Sequence, residues 1–301
     1  MHAALSNAQA RWPGHQWKRK TSKEYCGACP FCGGTDRFLI WDRGNYLCRQ
    51  CNANGFIDEG EKLTPEELHR RRVDAEILAL KRRQDEQEQR LSALERMHRC
   101  QDHVSYHASL NDKTRAYWNS EGINDASIDQ YLLGYCLSCP TAPGIPSYTI
   151  PIINGGKLEN IRHRLTRESG GKYRPHMAGL GNQLFNADYL EDASAESIII
   201  TEGEKKSIVL AQNCFPNVGI VGKRAFKSEW LRRFDRFPLV YVALDPDAMD
   251  SAFRLGAMFN GRGRVVQLPV KPDDMFARHG ATAGDFAAFL RYAKPVRGNH
   301  D

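Results

Sequence analysis

The sequence has no apolar run approaching the roughly 18 to 20 residues of a membrane-spanning helix. Its opening stretch, MHAALSNAQARWPGHQWKRK, holds no apolar core of signal-peptide length. A cytoplasmic location without membrane attachment is the expectation that follows. There is no G-x-x-x-x-G-K-[ST] sequence, and the C-terminal third has no G-x-G-x-x-G fingerprint. Those absences argue against a helicase motor and a dinucleotide site within this chain. A strong charge excess is also missing, because the formal balance is +6 over 301 residues. That balance permits nucleic-acid binding without requiring it. What remains is an ordinary globular composition, 41% apolar and 26% charged, with length for two or three domains.

Cysteine is unevenly spread. Five of the nine lie between Cys26 and Cys51, in EYCGACPFCGGTDRFLIWDRGNYLCRQCNANGFID. An odd, clustered set in a chain without a secretion signal points to metal rather than disulfides. Cys29 and Cys32 form one C-x-x-C pair, and Cys48 and Cys51 form another. Four thiolates at this spacing close a tetrahedral zinc site. Gly33, Gly34 and Gly55 supply the tight turns of the knuckles. RFLIW and NYLC between the pairs read as hairpin strands. Cys26 is a spare thiol or a substitute ligand. Arg37, Arg43 and Arg49 surround the hairpin, with Phe38, Trp41 and Tyr46 interspersed. The aromatics either pack a very small core or stack on bases.

Thr64-Pro65-Glu66-Glu67 reads as a capped helix start. Val73, Ile77, Leu80, Gln84, Gln87, Leu91 and Leu94 then form a narrow stripe at spacings of four and three. Such a helix serves as a spacer, packs on a domain, or pairs with another chain. KTRAYWNSEGINDASIDQYLLGYC follows as two short helices around a Gly122 turn, with Asp125 as a cap for the second. YTIPII and LENIRHRL read as a hairpin around Asn154-Gly155-Gly156. Strand alternation puts Arg162 and Arg164 on one side, and Lys172 and Arg174 come soon after. Four cations so placed suit a triphosphate or a template strand, or form a plain charged surface.

The last third alternates apolar runs with helical segments, the pattern of a mostly parallel α/β sheet. Glu202 directly follows the apolar run 198–201, and Asp245 and Asp247 follow LVYVAL. Asp273 and Asp274 follow the last strand-like run. Ligand sites of open α/β sheets lie at the carboxyl ends of strands. Carboxylates gathered there repel one another without a cation, and oxygen-rich clusters suit Mg²⁺ or Mn²⁺ with phosphates.

In this order the residues resemble the bacterial and phage DNA primases that join a zinc ribbon to a TOPRIM catalytic domain. CPFCGGTDRF…YLCRQCNANG is similar to the zinc module. KTRAYWNSEGINDASIDQYLLGY resembles the start of the polymerase core, with Trp118 and Glu121 where Leu and Arg are usual. Glu202-Gly203 and Asp245-Pro246-Asp247 resemble the TOPRIM glutamate and D-x-D, and LPVKPDDMF the later acidic segment. Ala248-Met249-Asp250 departs from the usual Ala-Gly after D-x-D.

The resemblance implies an α/β and α+β multidomain chain. Its parts would be a small β zinc ribbon, a helical connector, a mixed α+β primase core subdomain and a mostly parallel TOPRIM sheet. The expected boundaries are a flexible N-terminal segment 1–19, ribbon 20–62, connector 63–109, basic subdomain 110–195, TOPRIM subdomain 196–294 and tail 295–301. It further implies primer synthesis from nucleoside triphosphates on single-stranded DNA. Catalytic Mg²⁺ or Mn²⁺ would be held by Glu202, Asp245, Asp247 and Asp273, and Asp274 is a neighbouring alternative. Arg162, Arg164, Lys172 and Arg174 would contact nucleotide or template. Zinc on Cys29, Cys32, Cys48 and Cys51 would be structural. A separate replicative helicase is the expected partner, and phage or plasmid replication the expected setting. The rival readings are a TOPRIM metal-dependent nuclease and a non-catalytic nucleic-acid-binding protein with a vestigial acidic site.

Overall fold

The computed structural model describes residues 3–57, 65–167, 171–177, 179–222 and 225–296. It divides into two compact units, Met1–Gln89 and Arg90–Asp301. Among the described residues no helix is long and apolar enough to cross a membrane.

The first unit is built on a five-stranded antiparallel sheet in sequence order. Helix α1 (Ala3–Arg11) leads into β1 (Trp17–Arg19), β2 (Glu24–Cys29), β3 (Gly33–Trp41), β4 (Asn45–Cys48) and β5 (Asn54–Phe56). Residues 3–19, expected to be flexible, are part of this unit. Strand β1 pairs with β2, with Trp17 opposite Gly27 and Arg19 opposite Tyr25. Trp12 is only 3% exposed. Its ring centroid lies 5.3 Å from Phe38 and 5.4 Å from Tyr46, edge-on to both. The physical reason is size: a sheet of short strands has little apolar surface, and one tryptophan supplies a large share of its core. Phe31, Phe38 and Tyr46 are buried in the same cluster, so they pack the core. Trp12→Ala should cost the first unit about 3–5 kcal/mol. Denaturant titration of the zinc-loaded protein checks this, and an unchanged midpoint would return 3–19 to a loose tail.

Helix α2 (Pro65–Cys100) is continuous over 36 residues. The Thr64 cap lies outside the described residues. Val73, Ile77, Leu80 and Leu91 of the apolar stripe are exposed, whereas Ala75 and Met97, off that stripe, are buried.

In the second unit, α3 (Asp102–Ala108), α4 (Asp112–Ser120) and α5 (Asp125–Gln130) precede a four-stranded antiparallel sheet. Its strands are β6 (Gly134–Cys136), β7 (Ser147–Asn154), β8 (Lys157–Leu165) and β9 (Tyr173–Pro175). Asn111 caps α4 in a reciprocal box with Thr114. Asn124 rather than Asp125 caps α5, its side chain accepting from the Ser127 N–H. β7 and β8 form the expected hairpin, with Ile150 opposite Arg162 and Tyr148 opposite Arg164.

A second five-stranded sheet follows, in the order β11-β10-β12-β13-β14. Its strands are β10 (Ser197–Glu202), β11 (Asn217–Ile220), β12 (Leu239–Ala243), β13 (Gly263–Val265) and β14 (Lys294–Pro295). The first four are parallel, and β14 closes one edge antiparallel to β13. Helices α6 (Glu204–Gln212), α7 (Met249–Ala257), α8 (Pro272–His279) and α9 (Ala283–Arg291) complete the unit. Ile198, Ile200, Val240 and Val242 face one core and Ile199, Ala243 and Val266 another. Apolar residues on both faces are what a buried parallel sheet requires. SEWLRRF forms a 3₁₀ helix, Ser228–Phe234.

Candidate functional site

The four cysteines of the two pairs meet, with all their sulfur atoms within 4.8 Å of one another. The Cys29–Cys51 and Cys32–Cys48 Sγ separations are 3.8 and 3.6 Å. A tetrahedron with Zn–S bonds of about 2.3 Å has edges of about 3.8 Å, so the cluster suits structural zinc. The Phe31 and Gln50 N–H groups each donate to a cysteine sulfur at 3.4 Å, to Cys29 and Cys48 respectively. Burial pushes the Cys29 thiol far up and Cys51 to about 12. For Cys48, burial acts upward too, but N–H donors from Cys51 and Gln50 outweigh it and hold the thiol low. Cys26 lies outside this group. It sits opposite Leu39 in the sheet, before the register shift between Gly27 and Cys29.

Glu202 and the Asp245–Asp247 pair occupy strand ends, whereas Asp273, expected at one, does not, because β13 stops at Val265 and a helix has begun by Pro272. Glu202 ends β10, and Gly203 then turns into α6 at φ 86°, a conformation that favours glycine. Asp245 follows β12, and Pro246 opens a 3₁₀ turn that contains Asp247. Asp273 lies in the first turn of α8 and is 2% exposed, whereas Asp247 is exposed. Among the described residues, the cysteine group is the only set of three or more ligands gathered within 4.8 Å. The carboxylates do not close to that degree. His98, His103, His107 and Cys100 form no such set either.

Lysines that sequence reasoning missed stand among these carboxylates. Lys206 Nζ lies 2.9 Å from Asp245 Oδ1 and Lys271 Nζ 3.5 Å from Oδ2. Lys205 Nζ lies 2.7 Å from Asp273 Oδ2 and also contacts Glu121. Burial would raise the Asp273 carboxyl, but the Lys205 and Lys206 charges outweigh it and hold it below the ordinary range. Burial likewise opposes the charge on Lys205, and Asp273 and Glu121 restore it above its usual value. Asp273 Oδ1 is buried without a hydrogen-bond partner, and Asp245 Oδ1 is buried with the Lys206 ammonium 2.9 Å away. A buried carboxylate oxygen without a partner is chemically suited to a hard divalent cation. The Glu202-Gly203-Glu204-Lys205-Lys206 run was the available signal for the lysines.

The basic residues divide by role. Arg162 Nε bonds Glu204 Oε1 at 3.1 Å, and both side chains are buried. Arg164 Nη1 lies 3.4 Å from Glu121 Oε1, and its guanidinium sits 5.0 Å over the Tyr117 ring. Tyr117 stacks on Tyr148 at 3.5 Å between centroids. Tyr117, Tyr148, Arg164, Arg167 and Lys172 line a cleft of about 370 Å³. Burial, followed by the nearby Arg164 charge, pulls the Lys172 ammonium below its usual value. Arg174 lies on β9 opposite His163.

On the other side of β8, a buried chain of hydrogen bonds runs from the sheet to α3. Ser147 Oγ is 2.8 Å from His163 Nδ1, and His163 Nε2 is 3.0 Å from His176 Nδ1. His176 Nε2 is 3.0 Å from Asp102 Oδ2. With Asp102 ionised and both rings neutral, one order satisfies all three contacts: each donor points toward Asp102. Burial and the neighbouring His176 push the His163 pKa down to about 3. The unfolded value is about 6.5, so below that pH the unfolded chain takes up a proton the folded one refuses. The stability is complete above about 6.5 and lost as pH falls toward about 3, at up to about 1.4 kcal/mol per pH unit. Urea titrations at several pH values check this. His163→Gln should flatten the slope, and an unchanged slope would assign it to other groups.

Residues 24–59 match the model of the zinc-binding domain of primase-helicase. Among curated proteins, none matches the sequence. The fold is that of bacterial primases. The zinc-binding and RNA polymerase domains of Aquifex aeolicus primase superpose with a TM-score of 0.56 at 16% identity, covering 97% of this chain and 84% of that one. A DNA primase domain from Pseudomonas aeruginosa gives 0.54 at 17% identity over 65% of this chain and 78% of that one. The DnaG primase catalytic domain bound to single-stranded DNA gives 0.54 at 16%, over 69% and 83%. At these identities the likeness is one of fold.

Proposed function

We propose that the chain is a DNA primase that joins nucleoside triphosphates on single-stranded DNA. The observation that carries this reading is the pair of buried carboxylates Asp245 and Asp273, the latter with one oxygen that has no hydrogen-bond partner, in a primase fold. Asp245 and Asp273, with Glu202 and Asp247, would hold Mg²⁺ or Mn²⁺, which carboxylate oxygens suit. Such a cation, when bound, neutralises the triphosphate and lowers the barrier to attack by a 3′-hydroxyl. Lys206 and Lys271 beside Asp245 donate to phosphate oxygens as the charge there redistributes. Arg164 and Lys172 bind phosphate in the Tyr117–Tyr148 cleft, Arg174 extends the positive surface, and Arg162 with Glu204 holds β8 against α6. The ribbon engages single-stranded template, and a helicase activity delivers it. The structure of a related catalytic domain bound to single-stranded DNA supports that template.

One observation favours a second reading. Asp245 and Asp273 are each already paired with lysine, as a non-catalytic nucleic-acid-binding protein with a vestigial acidic site would have them. Incubating the zinc-loaded protein with unprimed single-stranded DNA, nucleoside triphosphates and Mn²⁺ separates the readings. Oligonucleotide products support priming. Shortened template supports the nuclease, and binding with neither product supports the non-catalytic protein.

A further inference from the structure

Four buried or largely buried charges alternate between the basic cleft and the acidic residues. Arg164 meets one oxygen of Glu121, and Lys205 meets the other. The same Lys205 ammonium meets Asp273 Oδ2 at 2.7 Å. The backbone around this link is tightly seated. A Cβ on Gly122 would lie 2.8 Å from the Ala277 Cβ of α8. Gln212 of α6 donates to the Gly122 carbonyl at 2.6 Å and accepts from the Asn124 N–H at 3.2 Å. With the turn fixed, rearrangement is left to the side chains.

We propose that phosphate in the Tyr117–Arg164–Lys172 cleft is coupled through Glu121 and Lys205 to the cation affinity of Asp273. This rests on the reading of the acidic residues as a divalent-cation site. The two carboxylates, Glu121 and Asp273, share one ammonium. Glu121 is itself shared between Lys205 and Arg164. A phosphate oxygen bound by Arg164 replaces the Glu121 carboxylate as its partner. Glu121 then draws more fully on Lys205, and Lys205 yields Asp273. Both oxygens of Asp273 become available to a cation, one of them already without a hydrogen-bond partner. Screening by solvent is weak at these side chains, so moving one contact changes the balance at the next. Thermodynamic linkage makes the effect reciprocal: a cation on Asp273 must tighten phosphate binding by the same factor.

The test is Mn²⁺ titration of the zinc-loaded full chain, followed by the electron paramagnetic resonance of free Mn²⁺. It is run with and without a saturating short single-stranded oligodeoxynucleotide, and the oligonucleotide's own Mn²⁺ uptake is subtracted. Wild type should bind Mn²⁺ about fivefold or more tightly with DNA, the lower end of ordinary coupling. Glu121→Gln should weaken Mn²⁺ binding without DNA and bring the ratio near one. Lys205→Gln should strengthen Mn²⁺ binding without DNA and also remove the coupling, an increase that misfolding would not produce. A wild-type ratio near one with Mn²⁺ still bound overturns the coupling alone, as does an undiminished ratio in Glu121→Gln. Failure of wild type to bind Mn²⁺ overturns the acidic-site reading and the coupling with it.

Discussion

Asp245→Asn should lower primer synthesis on the order of a thousandfold, the scale seen when one preorganised charge-stabilising group is lost from a site. The substitution keeps the side-chain shape and removes the charge that faces Lys206 and Lys271. Removing one partner of a buried pair also costs stability, and a neutral amide limits that cost by still accepting a hydrogen bond. Loss of activity must therefore be read beside the zinc content and the thermal midpoint. With both near wild type, the loss belongs to the chemistry. Full activity in Asp245→Asn, with Asp273→Asn equally active, would remove both carboxylates from the mechanism.

Cys48→Ala should release zinc and unfold the first unit. Cys48 is the thiol held low by backbone donors, and its sulfur lies 3.6 Å from Cys32. Structural zinc in small modules contributes apparent binding energies of about 10–16 kcal/mol, more than a sheet this small gains from its core. Hydrogen exchange across residues 3–57 should lose its protection, while Cys26→Ser should retain zinc and protection alike. Zinc retained at full stoichiometry in Cys48→Ala would contradict the four-cysteine centre.

The ribbon was legible because its signal is local. Two C-x-x-C pairs and an intervening apolar hairpin specify ligand, spacing and turn within a short segment. The strand ends were legible for a related reason, since apolar runs that end in Glu202 or Asp245 announce a parallel sheet and its carboxyl edge. Trp12 was not legible. It stands with Leu5 and Trp17 in a short, otherwise small or polar segment, and no periodicity marks it as core. The lysine network was hidden by distance along the chain. Lys205 follows Glu202 closely, but its partner Glu121 lies 84 positions earlier. Nothing in the local pattern joins them, and only the packing of the Gly122 turn on α6 and α8 brings them together. The stripe on α2 shows the opposite case. Its spacing correctly announced a helix, yet Ile77, Leu80 and Leu91 are exposed, because periodicity reports a shared face and not what that face meets.

The most direct test of the central claim is the sequence of what the protein makes. Zinc-loaded wild type is given an unprimed single-stranded DNA of mixed sequence, all the nucleoside triphosphates and Mn²⁺, and the short products are sequenced. The account predicts oligonucleotides complementary to the template, absent when Asp245 and Asp247 are both alanine. Template fragments in place of complementary products, or an intact template with no products at all, would contradict it.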